Sequence, residues 1–250
     1  MDHSNTRGEY AEPGPGTAGI PPAAGLAVWP CGVRRAWTHR ARFGCPAPGR
    51  SITLTLMRTL VETCTGDGES VVMLLPAGIG GAVCDGIDAL GEAAAAGRRA
   101  IGFIPDGCHL EGLTAYAATV SRRTPRWPVE IGVAMAAADG HLALSGQAAP
   151  ALAVLTLADV PPGGRRPDLA IVLGFLRTAL CGGGRVAIIT PCQATSVPSR
   201  VSGEIVAPVA RILRLRQVGA RLTVHSDPVD GALVGHAQVW VFAMPEVADA

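Results

Sequence analysis

Apolar residues along this chain fall into short runs broken by Gly, Pro or Arg, and the spacing within each run decides its element. Ile52, Leu56 and Leu60 recur at helical spacing behind Ser51, which predicts a helix capped by Ser51 and ending before the Gly66-Asp67-Gly68 turn. Val71 to Leu75 is uninterruptedly apolar, the pattern of a strand buried on both faces. A glycine-rich turn, Pro76-Ala77-Gly78-Ile79-Gly80-Gly81, leads into an alanine-rich helix to Ala96 with Gly97 as its cap.

The alternation then repeats. Ala100 to Ile104 predicts a strand, Leu110 to Ser121 a helix, and Val129 to Met135 a third strand followed by an Asp139-Gly140 turn toward His141 to Leu144. Ala151 to Leu157 predicts a fourth strand, Asp168 to Leu180 a helix and Arg185 to Thr190 a fifth strand. A helix is predicted over roughly Glu204 to Val218, interrupted or started late by Pro208. Arg221 to His225 and Ala237 to Phe242 close the chain as two strands joined through Asp227 to Gly231. Strands alternating with helices specify an α/β fold with a mostly parallel, doubly wound sheet, and the final pair specifies an antiparallel C-terminal hairpin.

Composition changes this picture mainly at the N-terminus. Residues 1–25 are rich in Pro and Gly with hardly any large apolar side chain, so they predict a disordered tail, with the folded domain spanning 26–250. Residues 26–50 form an arm carrying Trp29, Trp37 and Phe43 among Arg34, Arg35, Arg40, Arg42 and Arg50, without an acid. Such a segment could touch nucleic-acid backbones and bases, but it better suits packing across the sheet edge with its arginines solvated. The net charge of +1 gives no global attraction to nucleic acid or membrane, and no apolar run approaches the roughly 20 residues a bilayer requires. With Asp2 and Glu9 ahead of any apolar stretch, a secretory signal is not supported, and the expected location is cytoplasmic.

All 21 basic residues are arginine, a bias that codon usage in a GC-rich genome explains most simply. Seven cysteines without a C-x-x-C pair argue for reduced thiols rather than a disulfide framework or zinc ribbon. The six histidines show no metal-ligand spacing, so no metal site is expected. A G-x-S-x-G nucleophile motif is absent.

The chemistry concentrates at the glycine turn. In an open parallel sheet, ligands collect at the carboxyl ends of the strands, where a glycine turn lets the backbone approach closely and the next helix presents its N-terminus. Pro76, Ala77, Gly78, Gly80 and Gly81 stand at that place. The motif by itself leaves a nucleotide-type ligand and a merely tight turn equally open.

The order of motifs resembles bacterial site-specific DNA amino-methyltransferases (N6-adenine or N4-cytosine) of the class I S-adenosylmethionine-dependent superfamily, from about Leu26 to Phe242. Ala27-Val28-Trp29 and Pro48-Gly49-Arg50 compare with the family's "SVW…HP.K" segment, and Met73 to Ala82 with its "LDPxxGxGTT" cofactor motif. Ala100 to Ile104 compares with "AxGVE", Gly182 to Ile189 with the strand after "PGG", and Asp230-Gly231 with the terminal hairpin. The resemblance implies a Rossmann-like class I methyltransferase sheet and an S-adenosylmethionine pocket at the turn.

Three departures point to a degenerate member. The resemblance calls for an acid at the end of the first core strand to contact the methionine ammonium, and one ending the second to hold the ribose hydroxyls. Leu74 and Ile104 occupy those positions. Losing two charge-assisted contacts weakens binding by roughly a hundredfold or more. Asp106, Asp85 and Asp88 are the nearby acids that would compensate, unless they are simply solvated.

The catalytic (Asp/Asn/Ser)-Pro-Pro-aromatic motif has become Val160-Pro161-Pro162-Gly163, which leaves Asp159, Pro161 and Pro162 as catalytic candidates and no ring to stack on a flipped base. Only Gly163 to Pro167 then separate the motif from the next helix, too little for the family's target-recognition region.

Three functions remain open. The chain is a degenerate relative of DNA methylases acting through a partner or regulatory role; or an active methyltransferase on a different, non-DNA substrate; or an oligomerising scaffold with a filled pocket.

Overall fold

The computed structural model describes residues 27–30, 52–75, 81–104, 109–124, 126–133, 149–157, 166–180, 182–191, 200–226 and 233–244. Within them the strands are β1 (Ala27–Pro30), β2 (Ser70–Leu74), β3 (Arg99–Ile104), β4 (Val129–Val133), β5 (Leu152–Thr156), β6 (Arg185–Pro191), β7 (Arg216–Ser226) and β8 (Leu233–Ala243). The helices are α1 (Leu54–Cys64), α2 (Gly81–Ala95), α3 (Leu110–Ser121), α4 (Arg166–Ala179) and α5 (Arg200–Ile212).

The strands form one sheet in the order β1-β7-β8-β6-β5-β2-β3-β4. Every adjacent pair is parallel except β6 with β8 and β7 with β8, so β8 alone runs against the rest. The α/β sheet is mostly parallel with an antiparallel C-terminal hairpin, as the periodicity predicts, and it has the Rossmann-like form that the resemblance implies.

Strand alternation sorts the core into two layers, one on each face of the sheet. Val71 and Met73 of β2, Val154 of β5 and Ile189 of β6 pack with α1, α2 and α3, through side chains such as Leu56, Leu60, Ile87 and Leu90. Val72, Ala153, Val186, Ile188 and Phe242 face the other way, against Leu169, Leu173 and Leu176 of α4 and Val206 and Val209 of α5. A parallel strand covered on both sides must be apolar at consecutive positions, which is why the Val71 to Leu75 run has no polar alternation.

Local chemistry places the helix ends. The α1 cap is Thr53 rather than Ser51: Thr53 is extended and its Oγ1 accepts the Leu56 amide at 3.1 Å. Ile52, immediately before the cap, and Met57 in the first turn are both buried, so the chain enters the helix pinned by apolar contact.

At the other end of α2, Gly97 takes φ 84°, the Arg98 amide reaches the Ala93 carbonyl at 3.1 Å and the Gly97 amide reaches Ala94 at 3.1 Å. This is a Schellman stop at the glycine the sequence marks. The Arg98 side chain then donates to the Thr65 carbonyl at 2.9 Å, to the Thr65 hydroxyl at 3.1 Å and to the Ala96 carbonyl, tying together the C-terminal ends of α1 and α2.

The predicted helix over 204–218 is corrected. Helix α5 runs from Arg200 to Ile212 and retains Pro208 inside it, whereas residues 216–220 belong to β7. A second Schellman stop ends α5, with the Leu215 amide on the Ala210 carbonyl at 2.9 Å and the Arg214 amide on Arg211 at 3.1 Å. Its left-handed residue is Arg214, φ 55°, a residue type that does not announce such a turn. Arg214→Gly is therefore expected to raise stability by about 0.5–1 kcal/mol, because a side chain with a Cβ is strained there. Chemical unfolding checks it, and an unchanged or lower midpoint would count against the assigned stop.

Candidate functional site

The chain reverses its direction of growth across the sheet between β2 and β5. From β2 the order runs outward through β3 and β4, and from β5 outward through β6. A crevice opens at the carboxyl ends of strands at such a switch point, because the connections leave on opposite faces. In this sheet Leu74 lies beside Phe103 of β3 and Leu155 of β5, and the Leu75 amide continues the ladder to the Phe103 carbonyl at 2.8 Å. The ends of β2, β3 and β5 therefore lie side by side here, with α2 starting close after β2 in the chain.

The two positions expected to hold acids are apolar and packed. Ile104 ends β3 at 3% exposure within the cluster that includes Val129, Leu113 and Tyr116. Leu74 ends β2 partly buried, packed against the opposite cluster. Gly81, another predicted cofactor residue, is the first residue of α2. Pro76, Ala77, Gly78, Gly80, Asp106, Asp159, Pro161 and Pro162 lie outside the described residues, as do Arg34, Arg35, Arg40 and Arg42 of the arm, residues 1–25 and the predicted segment at 134–148.

Asp85 and Asp88 are not the solvated helix residues that were one of their two readings: they are 6% and 8% exposed. The Tyr116 hydroxyl of α3 lies 2.8 Å from both Asp88 carboxylate oxygens. A charge-assisted bond of this kind contributes about 1.5–3 kcal/mol, and it commits Asp88 to joining α2 to α3. Sequence reasoning missed this pair; its signal is two acids, Asp85 and Asp88, inside a helical stretch with no other charge, Val83 to Leu90.

A second feature that sequence reasoning missed is Thr156, the last residue of β5. Its Oγ1 is shielded from solvent and has no hydrogen-bond partner. Other buried hydroxyls are satisfied: Thr190 Oγ1 donates to the Gln238 carbonyl at 3.2 Å, and Thr223 Oγ1 donates to the Ala237 carbonyl at 3.0 Å while accepting its amide at 2.9 Å. A threonine in a strand carries no sequence signal of its own, since β-branched residues are favoured there for packing alone.

Cys64 and Cys84 are free and buried. Burial pushes the Cys64 thiol up, against a hydrogen bond and the charge of Arg185, so it is a neutral core side chain at neutral pH. Among the described residues no group of three or more His, Cys, Asp or Glu is placed to hold a metal ion. Nor is any helix among them long and apolar enough to cross a membrane.

No protein-family model matches this chain, and no curated protein does. Solved structures do resemble it. TrmN from Thermus thermophilus is 16% identical, over 83% of this chain and 53% of that one, with a TM-score of 0.46. A TehB-like SAM-dependent methyltransferase from Corynebacterium glutamicum is 20% identical, over 83% of this chain and 94% of that one, with a TM-score of 0.43. A methyltransferase from Pyrococcus furiosus is 15% identical, over 83% and 92%, with a TM-score of 0.48. This chain thus spans about half the length of the TrmN structure. All three scores lie below 0.5.

Proposed function

We propose that the crevice between β2 and β5 is an S-adenosylmethionine pocket of the class I methyltransferase type in a weakened form. On this reading the chain is a degenerate relative of the bacterial DNA amino-methyltransferases that methylates DNA poorly or not at all. The observation that carries it is the pair Leu74 and Ile104, two packed aliphatic side chains at the ends of adjacent strands where the resemblance calls for two carboxylates. An ammonium or a pair of ribose hydroxyls brought against them loses water and gains no partner.

The cofactor, where bound, supplies an activated methyl group. Of the groups described at the ends of β2 and β3, Leu74 and Ile104 do not fit its charged end or its ribose. No transfer step is assigned to these residues. The Asp159, Pro161 and Pro162 turn is the place for an acceptor in the rival reading of an active methyltransferase on a non-DNA substrate. Titration with S-adenosylmethionine tests the proposal: weak saturable binding supports it, and micromolar affinity revives the enzyme.

A further inference from the structure

We infer that the loop between α3 and β4, together with the start of β3, is a nucleic-acid-binding surface on which Arg99, Arg122, Arg123 and Arg126 take the phosphates of a single strand. This surface is separate from the proposed pocket and does not depend on it. Its residues lie at the amino ends of β3 and β4, whereas the crevice lies at carboxyl ends, so it holds a strand without presenting a base there.

The loop has a fixed shape. The Val129 amide donates to Ser121 Oγ at 2.8 Å, which closes residues 122–128 between the end of α3 and the start of β4. The Arg123 amide reaches the Val120 carbonyl at 3.0 Å, the Thr124 amide reaches the Ser121 carbonyl at 2.9 Å, and Thr124 itself is buried. Arg122, Arg123 and Arg126 stay exposed. Register adds the fourth cation: Ala100 pairs with Val129, so Arg99 at the start of β3 adjoins the loop. The Arg99 and Arg126 guanidiniums lie 5.8 and 6.0 Å from the centre of one indole, that of Trp127. A ring attracts cations without neutralising them, so two positive charges are gathered at one place and remain available to an anion.

That charge is poorly compensated. Residues 122–128 include no acid, and Glu130 just beyond them is itself engaged. Among the described residues the ion pairs are Arg58 with Glu92 and Arg126 with Asp67. The second spans 3.9 Å between side chains 71% and 66% exposed, and a pair so open to water contributes little.

The chemistry favours nucleic acid among anionic partners. Planar guanidinium forks match phosphate oxygens, and arginines gathered around an aromatic ring suit a single-stranded backbone. A lipid surface would need apolar side chains to enter it. The exposed large apolar residues among those described, Ile171 and Ile212, stand on α4 and α5, across the sheet from α3.

Fluorescence anisotropy with a labelled oligothymidylate of about 12 nucleotides tests the surface. Four phosphate contacts predict that the logarithm of the affinity falls against the logarithm of salt concentration with a slope of about −2 to −3. The double variant Arg123→Gln, Arg126→Gln is expected to bind about tenfold more weakly at low salt, with a slope shallower by about 1 to 1.5 and an unchanged melting temperature. Arg177→Gln, Arg211→Gln removes the same charge from exposed positions on α4 and α5, and should leave affinity within about twofold. A loop variant that binds like the parent would overturn the inference. So would a control variant that loses as much as the loop variant, which would reduce the effect to net charge. A parent that does not bind the oligonucleotide, including one that binds phosphatidylserine vesicles instead, would overturn it as well.

Discussion

Leu74→Asp is expected to tighten the binding of S-adenosylhomocysteine by tenfold or more. A charge-assisted hydrogen bond contributes about 1.5–3 kcal/mol, and each 1.4 kcal/mol is a factor of ten in affinity, so restoring one of the two missing acids recovers about ten- to a hundredfold. The position tolerates the change because Leu74 is the terminal residue of β2 and only partly buried. In the empty protein the new carboxylate has lost apolar packing and gained no partner, which lowers stability by about 1–3 kcal/mol. Ligand should therefore raise the melting temperature of the variant by more than that of the parent. Affinity that stays level or falls would remove Leu74 from the pocket and with it half of the argument for degeneration.

Phe242→Ala is expected to remove about 3–5 kcal/mol of stability, through lost transfer free energy and the cavity left behind. Phe242 is 1% exposed and lies in β8, the one antiparallel strand, where it pairs with Val186 of β6 and Gln217 of β7. Its ring sits in the cluster shared by the sheet, α4 and α5. A domain with a total stability of about 5–15 kcal/mol has little in reserve against that loss. Denaturant unfolding measures it; a change below about 1 kcal/mol would mean that α4 and α5 do not close this face as described.

The parallel core was legible because burial on both faces leaves a strong mark. Val71 to Leu75, Ala100 to Ile104 and Arg185 to Thr190 read as strands without any knowledge of their neighbours, and the glycine at 97 announced its own turn. What stayed hidden follows from side-chain types that do not advertise their backbone. Arg214 adopts the left-handed conformation that glycine usually takes, so the end of α5 was not visible and residues 216–218 were read as helix. Ser51 and Thr53 are both good caps; only the local geometry, with Thr53 accepting the Leu56 amide, selects the second.

The site divides in the same way. Leu74 and Ile104 drew attention because a resemblance supplied an expectation for those places, and the structure then shows that both are packed. Thr156 and the Tyr116 to Asp88 pair needed coordinates. A hydroxyl becomes informative only when it is buried and unpartnered, and an acid on a helix only when a tyrosine from the next helix reaches it.

The central claim, a retained but weakened S-adenosyl pocket, is tested most directly by titrating the unaltered protein with S-adenosylmethionine by calorimetry or NMR. A hundredfold loss from micromolar binding predicts saturable, one-to-one association with a dissociation constant of about 0.1–1 mM. A dissociation constant of a few micromolar would contradict the weakening assigned to Leu74 and Ile104.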